Sequence, residues 1–321
     1  MKTILILALD GVMDSSLAIT LDTLRAGQAF LRGKGKSSQV RPLVAGHGKT
    51  VRTGAGLRLT PDLQFADAGA VRPDWIVVPG LGLTSDAAIA ARFARKDALA
   101  AMELLRQAPG AARIGASCSS VFLLAEAGLL AGREVTMTWW LAHLFRARHP
   151  HVRLDETKML VRDGRYLTAG SAYSQLDLML AIVADTMGTS VAHLCSRYLL
   201  IDRRPSQARY MIHAHAQHVD PTVVAAERWI DAHLSEPISI ADLAAELSVS
   251  PKTLARRIAA ATGVSPVKFL QRRRLLHASH LIETTSMSIE AVAAEVGYQD
   301  GTALRKLIRR EFGTTPAALR G

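Results

Sequence analysis

The sequence predicts two structural modules: an α/β domain with a mainly parallel sheet covered by helices on both faces, and an all-helical domain behind it. Up to about residue 185, short apolar runs alternate with longer helix-like segments, which is the pattern of βαβ units. After Pro221 the strand patterns disappear, and short amphipathic helices follow one another. We therefore predict domains at residues 1–185 and 222–321, joined by a connector at 186–221.

Three apolar runs are predicted to be buried strands of the first domain. They are TILILAL from Thr3, WIVVPG from Trp75 and RIGAS from Arg113. Such continuous apolar runs are typical of parallel sheets, because both faces of these strands are covered. The segments 17–27 and 97–108 have helical patterns. The first run stops at Asp10 without a small-residue cleavage site, which favours a strand over a leader peptide.

Composition narrows the function classes. No apolar run approaches the roughly 20 residues of a membrane-spanning helix, so we expect a soluble protein without a membrane partner. Two cysteines, Cys118 and Cys195, make no disulfide framework, which fits a cytoplasmic location. The formal charge of +11 suggests a polyanionic partner. However, the part from Thr222 onward has only 13 Lys/Arg against 10 Asp/Glu. Its total charge therefore does not locate a nucleic-acid-binding face, and only local clusters of cationic side chains can do so.

The helical domain contains an internal repeat. SIADLAAELSVS, from Ser239, resembles SIEAVAAEVGYQ, from Ser288, 49 residues later. Beyond the turn the separation becomes 50, so that Gly263 matches Gly313. The extra residue falls in the turn, where an insertion is tolerated best. Each copy is predicted to form a helix, a tight turn and a second helix.

Helix start and stop residues support this interpretation. Each predicted helix is preceded by a side chain that can accept a backbone N–H hydrogen bond: Ser239, Ser250, Ser288 and Asp300. Pro251 occupies a first helical position, where its missing N–H costs nothing. Glycine ends the second helix of each copy.

The second helix of each copy has one apolar face and a largely opposite cationic face. The apolar positions are Leu254, Ile258, Leu304 and Ile308. The cationic positions are Lys252, Arg256, Arg257, Arg305, Lys306, Arg309 and Arg310. A helix packed on one side and cationic on the other fits the DNA major groove.

The segment between the copies has an uninterrupted helical pattern from Pro266 to Thr284. We call the second helix of each copy its reading helix. A rod of that length, about 27 Å, can hold the two reading helices about one turn of B-DNA (roughly 34 Å) apart. We therefore predict double-stranded DNA as the partner. The alternative is a helical bundle whose charges are only solvated.

The C-terminal hundred residues resemble the AraC/XylS family of transcriptional regulators. The matching segments are RLxxAxxLI at 274–282, EVGY at 295–298 and EFGTTPAALR at 311–320. By position, the resemblance implies these base-facing residues: Lys252, Ala255, Arg256, Gly301, Thr302, Arg305 and Lys306. Ala255 and Gly301 are too small to hydrogen-bond base edges, so the operator sequence does not follow from relatives. We hypothesise that Arg256 and Arg305 read bases, and that Arg309 or Arg310 holds phosphates.

Cys118 lies between an apolar strand and an apolar helix, in RIGASCSSVFLLAEAGLL. This strand–turn–helix resembles the nucleophile elbow of the ThiJ/PfpI branch of the class I glutamine-amidotransferase-like fold. The resemblance covers about residues 1–185 and includes GREVTMTW at 132–139 and TAGSxxxxLDL at 168–178, while RRPSQA at 203–208 resembles the connector of members that carry an AraC-type tail. It implies a flavodoxin-like domain and, for the whole chain, a GlxA-type regulator.

The residues around Cys118 argue against catalysis. A nucleophilic thiol needs a base or a cation nearby. Active relatives have histidine directly after the cysteine, where this chain has Ser119, and Thr138 replaces a histidine found in related regulators. We therefore predict no enzyme and no cofactor, and favour an effector pocket over a purely structural cysteine or a catalytic one.

A pocket of this fold would lie at the carboxyl ends of the parallel strands. The candidate lining residues are Asp14, Gly80, Cys118, Thr138, Trp139 and Ser171. The alternative for Trp139 is a place in the core. The expected ligand is a small nitrogenous or amide metabolite.

Three further expectations concern partners. His213, His215 and His218 have no cysteine or carboxylate at ligand spacing, so we predict no metal site. A homodimer is expected by analogy, and RNA polymerase is a further candidate partner. The rival functions are a cysteine-dependent amidase, peptidase or deglycase with an appended DNA-binding domain, and a constitutive DNA-binding protein with an inert N-terminal scaffold.

Overall fold

The computed structural model describes residues 1–33, 40–202, 204, 206–211 and 220–320, apart from the side chain of residue 209. His213, His215 and His218 lie outside the described residues. The chain divides into two compact units. The first comprises Met1–Leu141 and His149–Arg204, and the second comprises Ala142–Arg148 and Pro205–Gly321.

A seven-stranded sheet forms the centre of the first unit. Its strands, in spatial order, are β10 (Leu160–Asp163), β11 (Tyr166–Ala169), β7 (Arg113–Ser117), β6 (Trp75–Val78), β1 (Lys2–Leu7), β2 (Val40–Gly46) and β5 (Leu63–Gln64). All neighbours are parallel except β10 and β11. Two smaller pairs are β3 (Val51–Arg52) with β4 (Arg58–Leu59), and β8 (Glu134–Val135) with β9 (Arg153–Leu154).

The three predicted strands are confirmed as β1, β6 and β7, which are neighbours in the middle of the sheet. Every residue of β6 is buried, as are the last four residues of β1 and of β7. This burial on both faces explains why these runs show no alternation of apolar and polar residues.

The helices of the first unit form two groups, as expected for a sheet covered on both sides. In one group, α1 (Asp14–Gly33), α7 (Gln175–Met187) and α8 (Thr189–Tyr198) pack on one another. The other group contains α2 (Phe65–Ala68), α3 (Asp86–Phe93), α4 (Lys96–Arg106) and α5 (Val121–Glu126). Residues 186–204, which the sequence placed in the connector, therefore contribute a helix to the first unit.

In its described residues, the second unit consists of helices joined by turns and loops, without an assigned strand. Its helices are α6 (Ala142–Arg148), α9 (Pro221–Ala232), α10 (Ile240–Glu246), α11 (Pro251–Thr262), α12 (Pro266–Thr284), α13 (Ile289–Glu295), α14 (Gly301–Phe312) and α15 (Pro316–Arg320). The two predicted helix pairs are thus α10–α11 and α13–α14, and α12 has the predicted bounds.

The predicted caps are confirmed. The hydroxyl oxygens of Ser239, Ser250 and Ser288 each accept a backbone N–H hydrogen bond from the residue three positions later. The carboxylate of Asp300 accepts one from Ala303 at 2.8 Å. α11 and α14 both end at a glycine in the left-handed region, with φ of +72° at Gly263 and +66° at Gly313.

The helix α12 belongs to the cores of both helix pairs. Its first half contributes Phe269 and Leu270 to the cluster that contains Leu254 and Ile258 of α11. Its second half contributes Leu275, Ala278 and Ile282 to the cluster that contains Leu304 and Ile308 of α14. The spacer is therefore fixed to each pair by apolar burial, which stabilises packed helices more than their intrinsic propensity does.

Two arginines strengthen the attachment of α12. Arg273, whose side chain is almost fully buried, forms ion pairs with Glu227 and Asp231 of α9. Arg274 donates to the carbonyl oxygen of Glu236 at 2.7 Å and to that of Gly297 at 3.1 Å. The second arginine thus joins the turn of the second helix pair to the chain segment that precedes the first.

Across the part of the chain that the structure describes, no helix combines the length and the apolar character needed to cross a membrane.

Candidate effector site and nucleic-acid interface

Cys118 directly follows β7 in a sharp turn. Its backbone has φ of +55°, a left-handed conformation that non-glycine residues rarely adopt, and its side chain is fully buried. The Cys118 N–H donates to the carbonyl oxygen of Gly170 at 2.8 Å. A Cβ at Gly80 would lie 3.1 Å from the Cys118 Cβ and 3.0 Å from the Ser16 Oγ. The absence of a side chain at Gly80 lets the loop after β6 approach the cysteine closely.

Hydroxyl groups surround the turn. Ser119 Oγ accepts from the N–H of Leu83 at 3.1 Å, and Ser120 Oγ donates to the carbonyl oxygen of Pro79 at 2.5 Å. Thr138 Oγ1 lies 3.4 Å from Ser171 Oγ and also hydrogen-bonds to the thiol of Cys118. Gly80, Cys118 and Ser171 follow the ends of β6, β7 and β11, and Thr138 follows β8, so the structure places these four candidate residues close together.

A buried chain of polar side chains lies beneath this site. Ser117 Oγ donates to Gln175 Oε1 at 2.5 Å, and Gln175 Nε2 donates to Thr20 Oγ1 at 2.7 Å. Thr20 in turn donates to the carbonyl oxygen of Ser16. The Ser16 hydroxyl is fully buried and has no hydrogen-bond partner among the described residues. A buried hydroxyl without a partner is energetically costly.

The thiol of Cys118 is held in its neutral form. Burial raises its pKa, and hydrogen bonds with Ser119, Thr138 and the backbone of Gly82 offset only part of that rise. None of these groups is a general base. The geometry is therefore that of an elbow with a protonated thiol, which differs from the activated thiolate of a cysteine nucleophile.

Asp14 is a carboxylate engaged with a neighbouring loop. The Thr53 hydroxyl donates to Oδ1, and the N–H of Ala55 donates to Oδ2 at 2.9 Å. These two hydrogen bonds hold the pKa of Asp14 below its ordinary value. The adjacent residue, Met13, donates its N–H to the carbonyl oxygen of Gly80 at 2.8 Å, which joins this segment to the cysteine turn.

Trp139 follows Thr138 in a 3₁₀ turn, Trp139–Leu141. Its side chain is buried, and its ring packs edge-on against that of Trp140, with 5.4 Å between the centroids. This packing agrees with the core alternative for Trp139. Among the described residues, no group of three or more His, Cys, Asp or Glu could hold a metal ion.

The surfaces of α11 and α14 carry most of the predicted DNA-binding residues. The exposed ones are Lys252 and Arg256 on α11, and Thr302, Arg305, Lys306, Arg309 and Arg310 on α14. The opposite faces are buried through Leu254, Ile258, Leu304 and Ile308. Each of the two helices thus presents a polar and cationic surface on one side and packs on the other.

Three of the predicted arginines have protein partners. Arg257 is half-buried, and its guanidinium donates to the hydroxyl of Thr222 and pairs with Asp220, the residue that caps α9. Arg310 is exposed and donates to Glu311 at 2.9 Å and to Gln271 at 3.1 Å.

The third, Arg305, donates to Glu290 of α13 at 2.7 Å, and this hydrogen bond holds the pKa of Glu290 below its ordinary value. Except for Glu311, the sequence neighbour of Arg310, these partners lie between 15 and 39 residues away along the chain, so the sequence alone did not reveal them.

Together, the elbow at the carboxyl ends of a parallel sheet and the duplicated helix–turn–helix define an amidotransferase-like domain followed by an AraC-type DNA-binding domain. The chain belongs to the DJ-1/PfpI family, which matches residues 2–185. Residues 243–321 match a helix-turn-helix domain family.

Relatives that align over much of the chain are named as transcriptional regulators. The HTH-type transcriptional regulator GbdR of Pseudomonas aeruginosa is 26% identical over 274 residues, which cover 84% of this chain and 71% of that protein. The HTH-type transcriptional regulator GlxA of Rhizobium meliloti is 28% identical over 211 residues, 65% of each chain. The crystal structure of Drosophila melanogaster DJ-1beta shares the fold of the first unit, with a TM-score of 0.51 and 21% identity over 63% of this chain and 99% of that one.

Proposed function

We propose that this chain is a sequence-specific DNA-binding transcriptional regulator whose N-terminal domain binds a small polar metabolite. One observation carries the proposal: two capped helix–turn–helix units share the core of one spacer helix, and each has a reading helix with an exposed cationic face. A rigid pair of this kind suits two successive major grooves. The regulator names of GbdR and GlxA support the same function.

Arg256 and Arg257 offer a matched test of the DNA interface. Arg256 is exposed on α11, whereas its neighbour Arg257 is bound to Asp220 and Thr222. Once footprinting or in-vitro selection has defined the operator, we expect Arg256→Ala to weaken specific binding by about 10-fold or more. Arg257→Ala should weaken it much less, in proportion to any loss of folded protein. Equal effects of the two variants, or unchanged sequence preference in Arg256→Ala, would refute the assignment.

For the effector site, we propose that a small amide or other nitrogenous metabolite binds at the hydroxyl-lined turn of Cys118. The unpartnered Ser16 hydroxyl supplies a hydrogen-bonding group, and the N–H-rich start of a helix suits a carbonyl oxygen or a small anion. Thermal-shift screening should find a stabilising compound of this class. Its effect should disappear in Cys118→Phe and persist in Cys195→Ala, which alters the other buried thiol. Stabilisation by no such compound would leave the domain as a dimerisation module.

A neutral Cys118 also supports a regulator without catalytic activity. The rival amidase, peptidase or deglycase requires a thiolate, so it predicts one thiol in the native protein that reacts within seconds near neutral pH. We expect both thiols to react only after denaturation, and a hydrolase screen to show no activity that is lost in Cys118→Ala. A fast-reacting Cys118 would favour the enzyme instead.

We further propose that the protein acts in the cytoplasm as a homodimer and contacts RNA polymerase from its operator. A dimer would place two copies of the paired reading helices on one regulatory region. Light scattering of the purified chain, with and without operator DNA, tests the dimer. In-vitro transcription with purified RNA polymerase and an operator-containing template tests the contact with RNA polymerase.

A further inference from the structure

One ion pair connects the two helices of the second helix–turn–helix unit across its recognition surface. Glu290 lies in the first turn of α13, and Arg305 lies in the second turn of α14. Arg305 Nη2 donates to Glu290 Oε1 at 2.7 Å, and the side chains of Arg305 and Glu290 are 45% and 64% exposed. The pair thus lies on the outer surface, near the end of the recognition helix that usually contacts bases.

The first residue of α14 accommodates this pair. Gly301 is buried, and a Cβ there would lie 2.9 Å from Glu290 Oε1 and 3.1 Å from Arg305 Nη1. Even an alanine at position 301 would therefore press against both partners. Glu290, Gly301 and Arg305 form one cluster in which the glycine gives the two charged side chains their space.

The first helix–turn–helix unit lacks all three members of this cluster. At the repeat separations of 49 and 50 residues, Glu290 matches Ala241, Gly301 matches Pro251 and Arg305 matches Ala255. The first helix–turn–helix unit nevertheless has side-chain caps at the matching positions, Ser239 and Ser250, and buries Leu254 and Ile258 where the second buries Leu304 and Ile308. The fold therefore does not need the cluster, and exposed ion pairs contribute little to folding stability. Its presence in one unit alone points to a role in what that unit contacts.

We propose that Glu290 is a positioning residue that holds Arg305 ready to read one guanine of the operator. This inference rests on the proposed DNA-binding function. One edge of the guanidinium donates to Glu290, which leaves further N–H groups of Arg305 free for the O6 and N7 atoms of a guanine. A fixed arginine loses less side-chain freedom when it binds, so a guanine at that base pair gains affinity over the other bases. The first helix–turn–helix unit has Ala255 at the position of Arg305, and therefore needs no carboxylate to position a side chain there.

The test measures the binding of four variants, in the full-length chain, to the selected operator and to duplexes with every single base-pair substitution. Arg305→Ala should lose at least about fivefold in affinity for the operator and lose discrimination at one base pair. Glu290→Ala should relax discrimination at the same base pair, by a smaller factor, and should have no further effect in the Arg305→Ala background. Glu295→Gln is the control, because it alters the other carboxylate of α13.

The outcomes separate this inference from the proposed function. If Arg305→Ala relaxes discrimination at one base pair and Glu290→Ala does not, Arg305 reads DNA without help from Glu290, and the positioning role is wrong. If Glu290→Ala strengthens binding to all sequences equally, the carboxylate merely repels phosphates, and the inference is also wrong. If Arg305→Ala changes nothing while Arg256→Ala weakens binding, the proposed function stands without this inference. If neither arginine matters, both proposals fail.

Discussion

At the residue scale, Gly297 shows how one position can depend on a glycine for two reasons. Its φ is +74°, and a Cβ there would lie 2.4 Å from the carbonyl oxygen of Leu234 and 2.7 Å from Arg274 Nη2. We expect Gly297→Ala to lower the free energy of unfolding of the second unit by more than about 2 kcal/mol, from backbone strain together with the clash. Calorimetry of the full chain measures the loss.

Gly128 provides the control for Gly297. It has nearly the same φ, +77°, but a Cβ there would meet nothing within 4 Å. Gly128→Ala should cost only the strain of a left-handed alanine, about 1 kcal/mol. An equal cost in both variants would show that the close approach at Gly297 relaxes without penalty.

A second prediction at the residue scale concerns Cys195, on α8. Burial raises the pKa of its thiol from 9.0 to about 11. Below pH 9 the thiol is protonated in both the folded and the unfolded states, so its contribution is constant. Above pH 9 the unfolded chain releases the proton while the folded chain retains it. The free energy of unfolding should therefore fall as the pH rises from 9 to 11, by roughly 1 kcal/mol per pH unit from this group.

The comparison of wild type with Cys195→Ala isolates that contribution. Urea unfolding at pH 8, 9 and 10 should give a steeper decline for the wild type than for the variant. A constant difference between the two proteins across this range would mean that loss of packing alone distinguishes them, and that the pKa of Cys195 is not raised.

Partners distant in sequence set the limit of prediction at this scale. The pattern around Cys118 predicted the turn, the missing histidine and the gathering of Gly80, Thr138 and Ser171. It did not predict that Ser16 would face Gly80, because α1 reaches this site only through its packing on the sheet. Likewise, the sequence showed seven cations on the reading helices, but not that Arg257 is engaged with α9.

At the element scale, local rules predicted more. The caps Ser250 and Asp300, the left-handed Gly263 and Gly313 and the bounds of α12 all follow from short-range chemistry, and the structure confirms them. Short elements such as β3, β4, β8 and β9 were not predicted. Two residues carry too little periodicity, and these strands exist only because a partner is brought beside them.

The spacer helix α12 supports a prediction about the spacing of the two reading helices. Arg274 donates to the carbonyl oxygens of Glu236 and Gly297, and therefore joins the turn of the second helix–turn–helix unit to the segment that precedes the first, without belonging to either reading helix. We expect Arg274→Ala to weaken binding to the complete operator by several-fold, because the spacing of the two reading helices becomes less fixed. Binding to a duplex that retains only one half of the site should change little. A similar loss on both duplexes would indicate general destabilisation of the domain.

At the scale of the whole molecule, the salt dependence of DNA binding distinguishes contact through both reading helices from contact through one. If both reading helices contact DNA, phosphate contacts accumulate, and the logarithm of the binding constant falls with the logarithm of salt concentration by about 0.9 per phosphate. Lys252→Ala on α11 and Arg309→Ala on α14 should each reduce that slope by about one. If Lys252→Ala leaves the slope unchanged while Arg309→Ala lowers it, only the second helix–turn–helix unit binds phosphates.

Regulation by a metabolite requires a coupling free energy between the metabolite site and the DNA-binding domain. A metabolite that changes operator affinity by some factor must have its own affinity changed by operator DNA by the same factor, because the coupling free energy is shared. We therefore expect calorimetric titration of the stabilising metabolite to give different dissociation constants with and without operator. The ratio should equal the change in operator affinity that saturating metabolite produces. A metabolite that binds at Cys118 with a ratio of one would make the N-terminal domain a passive scaffold, and the chain a constitutive DNA-binding protein.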